Sequence, residues 1–283
     1  MTRTTPRVLV LGGTGFLGGY LLRRLPSSFR TVAAAGRTHA LLRDDRVEWL
    51  PTAIDTAAPE SVRAVLDSAR ADVVVNAIGA KPPVDDAASM SRVNARLPHD
   101  LAALASARGA RVIHLSTDGV FSGARGRYAE ADVPDPVDDY GRSKLAGELA
   151  SPHLTLRASF FGRNPRGAGV IEWLVAQRGR VSGYVDYRFS GIAAALLADL
   201  IARAIEADLA GVYHVGGDPV SKHELLCAAA ARLQLDVEVA EVTHVATDRT
   251  LDSSAFFAAI GGRRPTLADS MEALLLCGEL SRS

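Results

Sequence analysis

The 283-residue chain is 48% apolar and 23% charged, the proportions of a globular protein with a full core, and its length suits one large α/β domain or two closely joined ones. Lysine plus arginine equals aspartate plus glutamate at 32 each, which leaves no basic excess for nucleic acid or a membrane surface. No apolar run reaches the ~18 residues of a membrane span, the opening MTRTTPRVLVLGG lacks the apolar core and cleavage site of a signal peptide, and Cys227 and Cys277 are too few and too distant for a disulfide framework or metal cluster, so a cytoplasmic protein is expected.

In chain order, RVLVLG (residues 7–12) is a short buried-strand run, and FLGGYLLRRL follows with apolar residues at helical spacing. RTVAAAG and VEWL are strand-like. PESVRAVLDSA reads as a helix with Pro59 in its first turn. DVVVNAIG is a strand, LPHDLAALASARG a helix closed by Gly109, and RVIHLST a strand. Near-continuous apolar strands alternating with helices predict a parallel sheet covered on both faces, an α/β doubly wound Rossmann fold. The first 155 residues are expected to form the NAD(P)-binding domain. Past that point HLTLRAS, AALLADLIARAIE, GVYHVGG and SKHELLCAAAARL continue the alternation more loosely, the last with a capping box from Ser221 to Glu224. Residues 156–283 are expected to form a smaller C-terminal substrate-binding lobe that shares segments with the first, with the ligand in a cleft between them.

VLVLGGTGFLGGYLL places Gly12, Gly15 and Gly18 three apart between a strand and a helix. One glycine permits the tight turn, one lets the backbone approach a pyrophosphate, and one lets the helix pack close to the sheet. The helix N-terminus offers N–H groups and partial positive charge to the phosphates. Dinucleotide binding by Gly12, Thr14, Gly15, Phe16, Leu17 and Gly18 is the expectation; a purely structural turn is the alternative. The second strand ends in AAAGRT. An acid there would hold the ribose of NAD; Arg37 stands there instead, suited to a 2′-phosphate or else to an ordinary surface position. NADPH is therefore the expected cofactor, with NADH as the other choice. Asp55 in AIDT suits either an adenine contact or a turn.

From Asp72 onward the sequence resembles the extended short-chain dehydrogenase/reductase family, most of all nucleotide-sugar 4-ketoreductases of the dTDP-4-dehydrorhamnose reductase type. The matching stretches are DVVVNAIGAKPPVD, SRVNARLPHDLA, VIHLSTDGVFSG, YAEADVPDPVDDYGRSKLAGE and GVYHVGG. The resemblance implies Thr117, Tyr140 and Lys144 as the catalytic set, cofactor contacts from Asn76, Ala77, Gly79 and Lys144, and Asp118 on the substrate side. The chemistry of the pair also stands by itself. In a helix Tyr140 and Lys144, four apart, share one face. A phenol with a reference pKa of about 10 does not exchange protons readily at neutral pH, and a nearby ammonium lowers that pKa and makes it a usable acid toward an alkoxide. The alternative is a packed tyrosine beside a solvated lysine. Thr117 ends an apolar strand where α/β sheets bind ligands, so its hydroxyl is expected to hold the substrate carbonyl.

Two departures from the family pattern stand out. Gly119 replaces the tyrosine usual after the STD triplet, and Ala88 replaces the acid of VDxxE. With no carboxylate cluster in view, no metal is expected. A nucleotide-sugar diphosphate calls for guanidinium forks. Arg188 in YVDYRFSG and Arg249 in TDRTLDSS are candidates, and Arg163 and Arg166 in GRNPRGAG suit a loop over the site; each could equally be a surface charge. His114 reads as a core or strand residue. The expected reaction is NADPH-dependent reduction of a nucleotide diphosphate-linked 4-keto-6-deoxysugar. The alternatives are an NAD-retaining epimerase or dehydratase, or a non-catalytic NADP-binding regulatory subunit. The partner is a small nucleotide-sugar, with neither nucleic acid nor membrane; a homodimer is compatible with this reading.

Overall fold

A computed structural model describes residues 5–34, 45–51, 54–164 and 166–275. Arg37 and Cys277 lie outside the described residues. The first half alternates as expected: β1 (Arg7–Leu11), α1 (Phe16–Arg24), β2 (Arg30–Ala34), β3 (Val47–Trp49), α2 (Pro59–Ala69) and β4 (Val73–Asn76). A helical stretch then begins earlier than the apolar pattern suggests. It runs from α3 (Ala87–Met90) through a π-helical turn at Ser91–Arg96 into α4 (Leu97–Ser106). Asp86 starts it by accepting from Ser89 N at 2.7 Å. β5 (Arg111–Ser116), α5 (Asp139–Ala146) and β6 (Leu154–Phe161) follow. Then come α6 (Val170–Val175), β7 (Gly179–Tyr184), β8 (Tyr187–Phe189), β9 (Gly191–Ala193), α7 (Ala194–Glu206) and β10 (Gly211–Val215). The last described elements are β11 (Val220–Ser221), α8 (Lys222–Arg232), β12 (Val237–Val242), β13 (Thr247–Arg249), α9 (Ser254–Ile260) and α10 (Leu267–Leu274).

The chain forms two compact units, and they do not divide it at a single point near residue 155. The first takes the described parts of Met1–Ser116 with Pro136–Leu156 and Ala198–Val212; the second takes Thr117–Asp135, Arg157–Leu197 and the described part of Tyr213–Ser283. β6 and β10 are strands on which the chain passes from one unit into the other.

In the first unit the strand order is β3-β2-β1-β4-β5, continued by β6 and β10. β1 lies parallel between β2 and β4, so its apolar run VLVL is buried on both faces and needs no polar alternation. Leu9, Leu11, Val32, Val74 and Val112 on the strands pack with Val65 and Leu66 of α2 and Leu101 of α4. The register of β4 on β5 sets Asn76 directly beside His114. Two polar side chains are thus neighbours inside an otherwise apolar layer.

The second unit holds two smaller sheets. β7 pairs with β12 in parallel, and β8 lies between antiparallel β11 and parallel β13. β9 lies parallel to Ser159–Phe161 of β6. A stack of Phe121 on Tyr128, with ring centroids 4.2 Å apart, forms a local centre. Arg157 lies over the Phe121 ring and His214 meets its edge. The capping box of α8 is present, with Ser221 and Glu224 bonding each other's backbone.

The π-helical turn positions α5. Asn94 is fully buried; its Oδ1 accepts from Ala80 N at 2.9 Å, and its Nδ2 donates to Ala80 O at 2.7 Å and Ser143 Oγ at 3.0 Å. At the end of α5, Gly147 sits against the backbone of Asn94 so closely that a β-carbon would collide with the Asn94 carbonyl oxygen. Gly147→Ala should therefore destabilise the protein by about 1–3 kcal/mol, the usual cost of overpacking, and lower the urea midpoint. An unchanged midpoint would show that α5 tolerates displacement from this turn.

Candidate active site

In the first unit, β1 delivers the chain into the glycine turn. Gly12 takes a positive φ of 80°, a conformation disfavoured for residues with a β-carbon. Its carbonyl accepts from Gly15 N at 2.8 Å. Gly18 must lack a side chain because a β-carbon there would run into that same carbonyl. A β-carbon on Gly12 would lie 3.1 Å from the Ala77 carbonyl and Ile78 N, so the turn rests against the end of β4. Gly12, Gly15, Gly18 and Ala77 are therefore brought together. Gly15 caps α1 without a side chain and no acid stands in the helix's first turn, so its positive end suits a phosphate. These features fit a dinucleotide.

Other expected cofactor residues fall out differently. Leu17 is buried in the core, Thr14 and Phe16 are half-buried, and Phe16 meets Tyr20 edge to face. Gly79 lies beside Asn94. The Asn76 side chain turns inward: its Oδ1 accepts from Ile78 N at 3.2 Å and its Nδ2 faces His114 Nδ1 at 3.2 Å. Asp55 makes the turn that leads into α2. Its carboxylate accepts from Ala57 N, and its own N donates to Ser61 Oγ, both at 2.9 Å.

Asp138 caps α5, accepting from Gly141 N at 2.6 Å. Tyr140 helps line a cavity of about 510 Å³ with Lys81, Pro82, Met90, Asp138 and Asp139. Lys144 stands one turn further on and is only 4% exposed, which disposes of the solvated-lysine alternative. Burial lowers its pKa to about 8, opposed by the charge of Glu148, which itself accepts from Ser116 Oγ at 2.7 Å. The Lys144 amine lies 3.4 Å from His114 Nε2. His114 is held well below the usual imidazole range by burial, with further repulsion from Lys144 and His99. His114 is thus buried, as its place in an apolar strand suggests, but its neighbours are polar.

In the second unit, Thr117 Oγ1 accepts from Gly119 N and donates to Asp118 Oδ1, both at 3.1 Å. Asp118 is buried, and burial raises its pKa; Arg249, Thr117, the Gly119 backbone and Ser159 pull it back. Gly119 lies beside Thr117 and the guanidinium: a β-carbon there would lie 3.4 Å from the Thr117 side chain and 3.7 Å from Arg249 Nη1. Lys222, at the start of α8, belongs to the same group. Its amine stands 3.9 Å over the centre of the Tyr187 ring. Burial lowers its pKa, Asp118 raises it and Arg249 lowers it.

Arg188 is engaged elsewhere, with an ion-pair contact of 3.8 Å to Glu224 and a bond to the Pro219 carbonyl. Arg163 donates to Glu172 at 2.7 Å, and Arg166 N donates to Asn164 Oδ1. Sequence reasoning thus missed Lys222, Tyr187 and Asn94. Asn94 lies within the matching stretch SRVNARLP, which was the one available signal for it. Among the described residues no group of three or more His, Cys, Asp or Glu side chains is placed to hold a metal, and no helix is long and apolar enough to cross a membrane.

Known proteins resemble this chain along most of its length. The RmlD substrate binding domain family matches residues 6–255. A probable low-salt glycan biosynthesis reductase, Agl14, of Haloferax volcanii is 30% identical, over 94% of this chain and 96% of its own. The dTDP-4-dehydrorhamnose reductase of Salmonella typhimurium is 33% identical over 77% of this chain and 75% of its own. The dTDP-4-dehydrorhamnose reductase of Bacillus anthracis, solved in complex with NADP, superposes with a TM-score of 0.79 at 22% identity, over 96% of this chain and 99% of that one. With the match reaching from the glycine turn through Tyr140 and Lys144 to α9, the chain belongs to the RmlD substrate binding domain family of extended short-chain dehydrogenase/reductases.

Proposed function

We infer that the chain is a reductase that uses NADPH to reduce the 4-keto group of a nucleotide diphosphate-linked 6-deoxysugar. The observation that carries this reading is the buried Lys144 one helical turn from Tyr140, in the same unit as a glycine turn suited to a dinucleotide. A family relative named dTDP-4-dehydrorhamnose reductase and the NADP held by a protein of the same fold support it. We place the reaction in the cytoplasm, the compartment expected for a chain with two distant cysteines and no disulfide framework.

When bound, the cofactor supplies a hydride to the ketone carbon. The residues of the chain supply the rest. The Tyr140 hydroxyl donates its proton to the oxygen as it becomes an alkoxide. Lys144 in its charged form stabilises the phenolate left behind. Thr117 is assigned to the carbonyl oxygen, and its hydroxyl hydrogen must then leave Asp118, to which it now points. Arg249 and Lys222 are assigned to the diphosphate as two cations that share a buried acid, Asp118, as neighbour. Gly119 stands where the family pattern has a tyrosine, so a sugar bearing a branch, amino or acetamido group fits this reading. Holding the nucleotide positions the sugar, so the free keto-sugar should react far more slowly.

Three measurements test this reading. Tyr140→Phe keeps the ring and removes the proton donor, so turnover of 4-keto-6-deoxysugar nucleotides should fall by roughly 10² to 10⁴ with folding intact; near-normal turnover would remove Tyr140 from the chemistry. Arg37→Ala should weaken NADPH binding by about 1–3 kcal/mol and leave NADH nearly unchanged; equal losses would end its assignment to the 2′-phosphate. Lys222→Met should raise the KM for the nucleotide-sugar about tenfold and alter kcat little, since it removes a charge-assisted contact of about 1.4 kcal/mol. A fall in kcat at constant KM would place Lys222 with the reacting atoms instead.

A further inference from the structure

The hydrogen-bond chain that ends on Lys144 has only one consistent arrangement of protons. Ile78 N is a backbone donor, so the Asn76 atom facing it must be Oδ1. The Asn76 amino group therefore faces His114, and it only donates, so His114 Nδ1 must accept. A neutral imidazole that accepts through Nδ1 carries its hydrogen on Nε2. Nε2 is the atom 3.4 Å from the Lys144 amine. An ammonium there would set two donors against each other; a neutral amine accepts the Nε2 hydrogen without conflict. The β4–β5 register, which seats Asn76 beside His114, is what builds this relay.

We propose that Asn76 locks His114 as its Nε2–H tautomer and that this N–H, aimed at Lys144, makes His114 a positioning residue that favours the neutral amine of Lys144 in the cofactor-free protein. Burial of Lys144 acts in the same direction. Of the other groups that face the pair, Glu148 favours the ammonium, while a charged His99 disfavours a charged His114. The consequence for catalysis rests on the reductase reading. Below its midpoint Lys144 carries the charge that stabilises the phenolate of Tyr140; above the midpoint it does not. The tautomer of His114 then helps to set the alkaline limit of the reaction.

The lock is read directly in cofactor-free protein, so its outcome is independent of whether any nucleotide-sugar is reduced. The chain has seven histidines and three lysines, Lys81, Lys144 and Lys222. In ¹⁵N-histidine spectra at pH 7.5, the resonances lost in His114→Gln should be those of an Nε2–H neutral ring. With ¹³Cε-lysine, the signal lost in Lys144→Arg should titrate near pH 8 in the unsubstituted chain. It should move up by about one pH unit in His114→Gln, whose side-chain carbonyl can accept from an ammonium. An Nδ1–H or doubly protonated His114 would overturn the proposal. So would a Lys144 midpoint that is the same with and without His114. If His114→Gln does not fold, ¹⁵N spectra of the unsubstituted chain, with His114 assigned from its neighbours, decide the tautomer alone.

Discussion

An ammonium taken out of water is the constraint on which the first unit is organised. Lys144 is buried on a short helix of only eight residues, too short to hold its own position. Several contacts fix it. Asp138 caps its start, Asn94 bonds Ser143 in its middle, and His99 bonds the Ala146 carbonyl near its end at 2.8 Å. Gly147 then lets the chain lie against the π-helical turn. A π-turn is a costly local irregularity, common at functional sites, and here it aims Asn94 between α5 and the loop after β4.

The buried lysine also has a thermodynamic sign. Unfolded, it keeps its proton until about pH 10.4; folded, it releases it near about 8. Between those values the unfolded chain binds more protons, so this residue makes the fold more stable as pH rises through the window. Below about 8 the full penalty of a buried charge remains. Glu148 offsets part of that penalty.

Much of the first unit was legible because its strands are buried on both faces and its turn chemistry is local. RVLVL, VVVN and RVIHLS are strands for the reason their apolar runs imply, and Gly12 and Gly18 have the roles their spacing suggests. Less was legible wherever a residue's role depends on what lies beside it in space. SRVNAR has no apolar period, and its helix exists because Asp86 starts it and Asn94 anchors it. Asn76 carries a cofactor role by family likeness, yet a strand register turns its amide toward His114. Asp55 offered two readings, and only the bonds to Ala57 and Ser61 favour the turn. Arg188 and Tyr187 are adjacent in sequence, but neighbours on a strand point to opposite faces. Tyr187 therefore meets Lys222 while Arg188 reaches Glu224.

The same alternation explains how the second unit assembles its cations. β8 sends Tyr187 toward the first residue of α8, and β13 sends Arg249 toward Gly119. Their shared neighbour is Asp118, whose burial raises its pKa while Arg249 opposes part of that rise. Two cations around one buried acid place more positive than negative charge in this part of the second unit. A tyrosine at position 119 would bring a side chain against Thr117 and the Arg249 guanidinium, which a β-carbon there would already touch. Glycine at 119 therefore has the Arg249 guanidinium and the Thr117 side chain as its surroundings, so any change at 119 acts on packing and charge together.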